Sequence, residues 1–187
     1  MDIVVIGYAG LSGSLEIYKL KRETVRARYC SRFLRPLEEG KLVFPDEAVL
    51  EESLRRGLIS YIEAADEGGV MSALWKVLEK AKKGCEYSRR RIPVLQQIVE
   101  ICELYGIDPY KLSSKGCFVC LCNNGRELSA YLESSCHGCI PSVYIGRTDG
   151  TKARKRTDGE EIAFLRRPEP DELIRFKEKN TDISVSV

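Results

Sequence analysis

The sequence predicts a mixed α/β (α+β) fold, in which helices flank a layered mixed sheet. Short apolar runs alternate with longer segments of helical periodicity from one end of the chain to the other. A chain of 187 residues is long enough for one domain with a substantial core. No internal repeat or polar linker divides it, so we expect a single domain.

The first half of the chain predicts two strands and four helices. An unbroken apolar run at 3–6 favours a strand, and the glycine-rich turn at 7–13 separates it from the first helix. Pro36 is expected to end a helix, Asp46 is a typical N-cap, and Gly57 typically follows a helix end. The predicted elements are a strand at 2–6, helices at 15–25, 26–36 and 46–56, a strand at 58–63, and a helix at 67–83.

The second half predicts five strands and three helices. Pro93 suits the first turn of a helix, and Gly106 suits its end. The continuous apolar run at 116–122 indicates a strand buried on both faces, and Asp158-Gly159 is a typical hairpin turn. The predicted elements are strands at 85–87, 116–122, 141–145, 152–156 and 161–165, and helices at 93–106, 126–134 and 168–174.

The helix predicted at 67–83 begins at a glycine pair that follows a strand. Gly68 and Gly69 would let an anion approach backbone N–H groups at the positive end of the helix. The carboxylates of Asp66 and Glu67 would oppose an anion unless a cation bridges them. In the alternative interpretation, Asp66 is simply an N-cap and the glycines allow a close strand-to-helix turn.

A second glycine-rich turn, with Gly7, Gly10 and Gly13, also lies between a strand and a helix. Its spacing matches neither the dinucleotide-binding fingerprint nor the phosphate-binding loop that ends in Gly-Lys-Ser/Thr. The residues alone therefore favour a structural turn.

Eight cysteines are the most distinctive local feature. Cys117, Cys120 and Cys122 lie on one predicted strand, where Cys120 and Cys122 share a face and Cys117 does not. The alternative to buried, reduced thiols is a metal site built from Cys120, Cys122, Cys136 and Cys139. The burial habits of free cysteine favour the first interpretation, with no metal bound.

Composition and charge argue against several classes of protein. Lys and Arg number 30 against 28 Asp and Glu, so no charge excess attracts nucleic acid. The basic runs at 89–91 and 152–156 are expected to be solvated faces. No apolar run approaches the ~18 residues of a membrane span, and the start resembles no signal peptide, so we expect a cytoplasmic protein. With one histidine, a Ser/His/Asp catalytic set is not expected.

Six strings carry a resemblance to a known family, and they lie at 2–13, 66–75, 91–94, 102–109, 140–147 and 170–173. In this order they resemble the C-terminal domain of the aminoimidazole-ribotide synthetase (AIR synthase, PurM) superfamily. Within it, the sequence looks most similar to the hydrogenase-maturation, HypE-like branch.

The resemblance implies ATP-dependent chemistry shared between two domains. In that superfamily an N-terminal domain supplies most ATP and magnesium ligands, and the C-terminal domain closes over the site. By resemblance, 1–175 is the C-terminal domain, 176–187 is a polar tail, and the N-terminal domain is absent. The implied phosphate-binding residues are Asp66, Glu67, Gly68, Gly69, Gly10 and Gly13.

We therefore expect a domain without catalytic residues or cofactor of its own, which meets ATP and magnesium through a separately encoded N-terminal domain or by self-association. Two departures from the superfamily support this: Glu63-Ala64 stands where a His-Asp pair is usual, and the chain lacks the C-terminal cysteine of the maturation branch. The alternatives are a cysteine-based metal-binding or redox module, and a fragment of a longer maturation-like enzyme.

Overall fold

A seven-stranded mixed sheet forms the centre of the computed structural model, which describes residues 1–39, 45–135 and 140–181. In chain order the strands are β1 (Asp2–Ile6), β2 (Tyr61–Ala64), β3 (Gly84–Tyr87), β4 (Phe118–Cys122), β5 (Ser142–Asp149), β6 (Arg154–Asp158) and β7 (Glu161–Phe164). The sheet order is β2-β4-β1-β5-β3-β6-β7. Neighbours are antiparallel except β3 and β6, which are parallel.

Eight helices in the described part of the chain pack around this sheet. They are α1 (Leu11–Leu20), α2 (Arg22–Arg28), α3 (Ser31–Glu38), α4 (Glu47–Arg55), α5 (Gly69–Ala81), α6 (Gln96–Tyr105), α7 (Gly125–Ser135) and α8 (Glu172–Thr181). The apolar stripe of α5 covers one face of the sheet, with Leu74 and Leu78 fully buried. The opposite face packs against α4 and α7 through Leu50, Leu128 and Leu132.

A second apolar cluster lies among the remaining helices. It joins α1, α2, α3, α6 and α8 through side chains such as Ile17, Leu34, Ile101 and Phe176. Leu112 also belongs to this cluster, so the loop that precedes β4 is anchored in it.

The mixed sheet with flanking helices confirms the predicted fold class. Every predicted strand and helix corresponds to an observed element, and the continuous run before Cys122 is a strand whose last four residues are buried. No helix in the described ranges has both the length and the apolar character needed to cross a bilayer.

Several predicted boundaries were wrong. Pro36 lies inside α3: it lacks the N–H for one helical hydrogen bond, yet the helix continues past it and closes with the Glu39 N–H donating to Arg35 O at 2.9 Å. Pro93 precedes α6 rather than starting it. The predicted polar tail begins within α8, where Phe176 is buried.

Candidate functional site

Both glycine-rich turns start a helix from a left-handed glycine. Gly10 precedes α1 with φ 72°, and Gly68 precedes α5 with φ 76°, a conformation that side-chain-bearing residues rarely adopt. The N-cap of α5 is therefore Gly68. Asp66, which the alternative interpretation made the N-cap, is exposed, and the N-cap glycine makes no side-chain hydrogen bond to the first turn.

One loop, residues 109–115, lies between these two helix starts and occupies their backbone donors. The Gly10 N–H donates to Ser114 Oγ at 2.7 Å, and the Gly13 N–H donates to Ser113 O at 2.9 Å. A Cβ added to Gly69 would lie 2.6 Å from two carbonyl oxygens of this loop. The glycines thus serve close packing against the loop.

The start of α5 already holds an anion that belongs to the protein. The Gly68 N–H donates to Asp171 Oδ2 at 2.7 Å. The same carboxylate accepts from Ser113 Oγ at 2.6 Å and from the Leu173 N–H at 2.8 Å, and Asp171 is only 1% exposed. A carboxylate at this position interacts favourably with the positive end of the helix dipole, as a phosphate would.

The structure therefore places the predicted phosphate-binding residues in two groups. Gly10, Gly13, Gly68 and Gly69 are brought together around the 109–115 loop, with their donors used inside the chain. Asp66 and Glu67 are exposed beside them. Phosphate binding by these six residues therefore stays a prediction. The side chains that line the space beside the start of α5 are described next, because they could also contact an anion.

A cleft of about 420 Å³ adjoins the start of α5. We call it the basic cleft, because five basic and three acidic residues line it. They are Arg89, Lys111, Arg156, Arg166 and Arg167, with Asp108, Glu161 and Glu169. Gly68 and Ser72 form the part of its wall that belongs to α5 and its cap.

Each acidic residue of the basic cleft is held by one of its cations. Arg89 Nη2 lies 2.7 Å from Asp108 Oδ1, and Lys111 Nζ lies 2.8 Å from Glu169 Oε2. Arg156 pairs with Glu161. Arg166 and Arg167 form no ion pair within the described ranges, so the basic cleft keeps an excess of positive charge at neutral pH.

Burial and pairing set the protonation states in the basic cleft. Burial raises the pKa of Tyr87 to about 12, so this phenol stays neutral at neutral pH. The hydrogen bond from Lys111 lowers the pKa of Glu169, which keeps that carboxylate ionised. The cleft therefore offers fixed charges and polar contacts for binding an anion.

Sequence reasoning missed Arg89 and Arg156 because it assigned both basic runs to solvated faces. The side chains of Arg154 and Arg156 are only 10% and 18% exposed, since both project from the covered face of β6. The available signal was the Arg-x-Arg spacing within a predicted strand, because residues two apart point to one face. Lys155, between them, points to the opposite face.

Cys117 and the two cysteines of β4 divide between the two faces of the sheet as predicted. Cys120 and Cys122 pack on the α4 and α7 side, and Cys117 packs on the α5 side. Burial raises the pKa of Cys117 to about 12 and that of Cys122 to about 11. These thiols therefore behave as small buried apolar groups at neutral pH.

The alternative metal site lies partly beyond what the structure shows. Cys136 and Cys139 fall outside the described residues, so that site stays a prediction. Among the residues that are described, no cluster of three His, Cys, Asp or Glu side chains could hold a metal ion. The strands that flank 136–139 are not neighbours, because β1 lies between β4 and β5.

Glu63, one of the two residues that depart from the superfamily pattern, faces away from the start of α5. Its carboxylate pairs with Lys80 Nζ at 2.5 Å, near the C-terminal end of that helix. Glu63 is therefore engaged with the surface of α5 and does not line the basic cleft.

Comparison with known proteins supports the fold prediction. No protein-family model matches the sequence. A curated protein of Methanocaldococcus jannaschii, named as a hydrogenase expression/formation protein, is 30% identical over 70 residues. That match covers 37% of this chain and 20% of the other protein.

Solved structures match nearly the whole chain. HypE of E. coli, a hydrogenase maturation protein, superposes with a TM-score of 0.69 at 20% identity, over 92% of this chain and 51% of that one. A crystal structure of HypE in complex with ATP gives 0.67 at 18% identity, over 92% and 52%. The chain has the AIR synthase-related fold that its sequence predicted, and it spans about half the length of these solved structures.

Proposed function

We propose that this chain is a C-terminal domain of the AIR synthase type that binds the phosphates of a nucleotide in the basic cleft. The observation that carries the proposal is the excess of cations beside the start of α5. Five basic residues face three carboxylates there, and each carboxylate is already paired. Arg166 and Arg167 form no ion pair among the described residues, and Arg156 Nε is buried without a hydrogen-bond partner, so these three guanidinium groups have donors left for a ligand.

The arrangement suits side-chain recognition of phosphate. Guanidinium groups bind phosphate oxygens through paired N–H donors, and the three ion pairs hold Arg89, Lys111 and Arg156 in fixed positions before a ligand arrives. The HypE structure that contains ATP supports a nucleotide as the ligand class, since the fold is shared.

Catalysis is proposed to need a second domain. Asp171, whose carboxylate accepts from the Gly68 N–H, is buried and engaged by backbone and hydroxyl donors. Magnesium ligands and the reacting groups would come from an N-terminal domain of the same superfamily, carried by a separate chain or by a longer form of this one. Alone, the domain would bind nucleotide without turnover.

Isothermal calorimetry of the protein with ADP and ATP, with and without magnesium, tests this proposal. We expect binding to the wild type and roughly tenfold weaker binding to Arg156→Gln, because a charge-assisted hydrogen bond to phosphate is lost. Lys155→Gln is the matched control, since Lys155 points to the opposite face of the same strand.

Two outcomes would contradict the proposal. No heat with either nucleotide, with or without magnesium, would remove the basic cleft as a nucleotide site. Equal weakening by Arg156→Gln and Lys155→Gln would show that general charge, and not the cleft, drives the association. Co-expression with a candidate N-terminal domain, followed by a turnover assay, tests the proposed division of labour.

A further inference from the structure

A second cavity lies on the same side of the sheet, near the C-terminal end of α5. Its volume is about 620 Å³. We call it the tryptophan cavity, because Trp75 forms part of its wall. Its charged lining residues are Lys82, Lys83, Lys152, Arg154, Arg167 and Glu79. It shares only Phe164, Leu165 and Arg167 with the basic cleft.

Arg154 is the least exposed cation that lines the tryptophan cavity. Its guanidinium carbon lies 3.8 Å from the centroid of the Trp75 ring, a distance at which the cation is held by the indole face. Only 10% of the side chain is exposed. A long, charged side chain is thus fixed in one position on the cavity wall.

The guanidinium of Arg154 is only partly satisfied. Nη2 donates to Glu79 Oε1 at 2.6 Å, whereas Nε and Nη1 are buried without a hydrogen-bond partner among the described residues. Unpartnered buried donors are rare in native proteins, because each one loses its contact with water and gains nothing. The single partner, Glu79, is 60% exposed and can be displaced at low cost.

The other cations of the tryptophan cavity add to this charge. Lys82, Lys83, Lys152 and Arg167 form no ion pair within 1–39, 45–135 and 140–181, so Glu79 is the one carboxylate among five cations. Lys82 adopts the left-handed conformation, with φ 53°, which at a helix end is usually adopted by glycine. A lysine in that conformation places one more positive charge at the cavity.

We propose that the tryptophan cavity binds a diphosphate group, either free or as part of a larger molecule. The anion would displace Glu79 and accept hydrogen bonds from Arg154, with Lys83 and Lys152 on its other oxygens. An anion with several charges is favoured over a monoanion, because five cations surround one carboxylate. Arg167 lines both this site and the basic cleft, whereas Lys83, Lys152 and Arg154 line the tryptophan cavity alone, so binding here is proposed to need no ligand in the basic cleft.

Trp75 allows a direct test, because it is the only tryptophan in the chain. The wild-type protein is titrated with inorganic diphosphate at constant ionic strength while Trp75 fluorescence is recorded. We expect a saturable change at millimolar concentrations or below. A change that potassium chloride reproduces at equal ionic strength, or no saturable change, would overturn the proposal.

Two variants are expected to change the affinity for diphosphate in opposite directions. Glu79→Gln is expected to tighten diphosphate binding several-fold, because it removes the competing carboxylate. Arg154→Gln is expected to weaken binding about tenfold or more. A purely structural Glu79–Arg154 pair predicts that neither variant alters diphosphate affinity, and that result would contradict the proposal.

Further variants control for folding and for the other site. Lys83→Gln, at an exposed position, should weaken binding several-fold even if Arg154→Gln fails to fold, and an unchanged affinity would argue against the site. Arg156→Gln should leave the fluorescence titration unchanged, which separates this cavity from the basic cleft. An ADP arm identifies the source: an Arg154-dependent signal with ADP assigns a nucleotide, and a signal with inorganic diphosphate alone assigns the free anion.

Discussion

Replacing Asp171 with alanine is expected to be the most destabilising single change near the candidate site. The carboxylate is 1% exposed and accepts three short hydrogen bonds, from the Gly68 N–H, Ser113 Oγ and the Leu173 N–H. It joins the start of α5, the loop before β4, and the start of α8. Alanine would leave these donors without an acceptor.

The expected loss follows from the contacts. A buried donor that loses its partner costs about 1–3 kcal/mol, and three such donors at the lower end of that range give about 3–5 kcal/mol in the free energy of unfolding. The Asp171→Asn variant would keep one acceptor oxygen and place an NH₂ group against the other donors. We therefore expect this variant to lose about half as much.

Urea unfolding, followed by Trp75 fluorescence and by circular dichroism, measures these differences. Asp66→Ala is the matched control, because Asp66 is exposed beside the same turn, and its loss is expected to stay within about 0.5 kcal/mol. If Asp171→Ala cost less than about 1 kcal/mol, the interpretation of Asp171 as the internal anion of α5 would be refuted.

Two further predictions concern packing and thiol ionisation. Gly13→Ala should lower the free energy of unfolding by about 1–3 kcal/mol, because the added Cβ would lie 2.4 Å from Leu112 Cγ. Gly150→Ala is the control: its added Cβ faces open space, so the loss should be much smaller. Urea unfolding of both variants measures the difference. The pKa values of Cys117 and Cys122 are raised to about 12 and about 11, from an ordinary value of 9.0, so the folded state holds these protons more tightly than the unfolded state. Stability from these thiols is complete below pH 9 and falls as pH rises from about 9 towards 12; a free energy of unfolding that is as high at pH 10.5 as at pH 8 would contradict this.

The fold was predictable because its strands and helices are indicated by patterns among residues that are close in sequence. The apolar run of β4, the periodic apolar face of α5, and the Asp158-Gly159 turn each depend on a few adjacent residues. Boundaries failed where a distant contact decides them. Phe176 extends α8 past its predicted end because it packs into the helical cluster, which no local pattern shows.

The candidate site was less predictable for a related reason. The sequence indicates that Gly68 begins a helix, and a helix start attracts anions. It does not indicate that Asp171, 103 positions away, fills that place. Likewise, the sequence around Arg154 and Arg156 predicts a solvated hairpin. Only the sheet topology shows that the face shared by these two side chains lies beside α5.

The position of β1 has a consequence for how the chain folds. β1 precedes the other six strands of this sheet in the sequence, yet it lies between β4 and β5, and it pairs Asp2 with Cys122 on one side and with Arg147 on the other. Its apolar residues therefore have neither of their strand partners until β4 has been made. Contacts of such sequence separation slow folding and leave hydrophobic surface open to association in the meantime. We expect refolding to be slow, and a nascent chain stopped before β4 to depend on chaperones for its solubility.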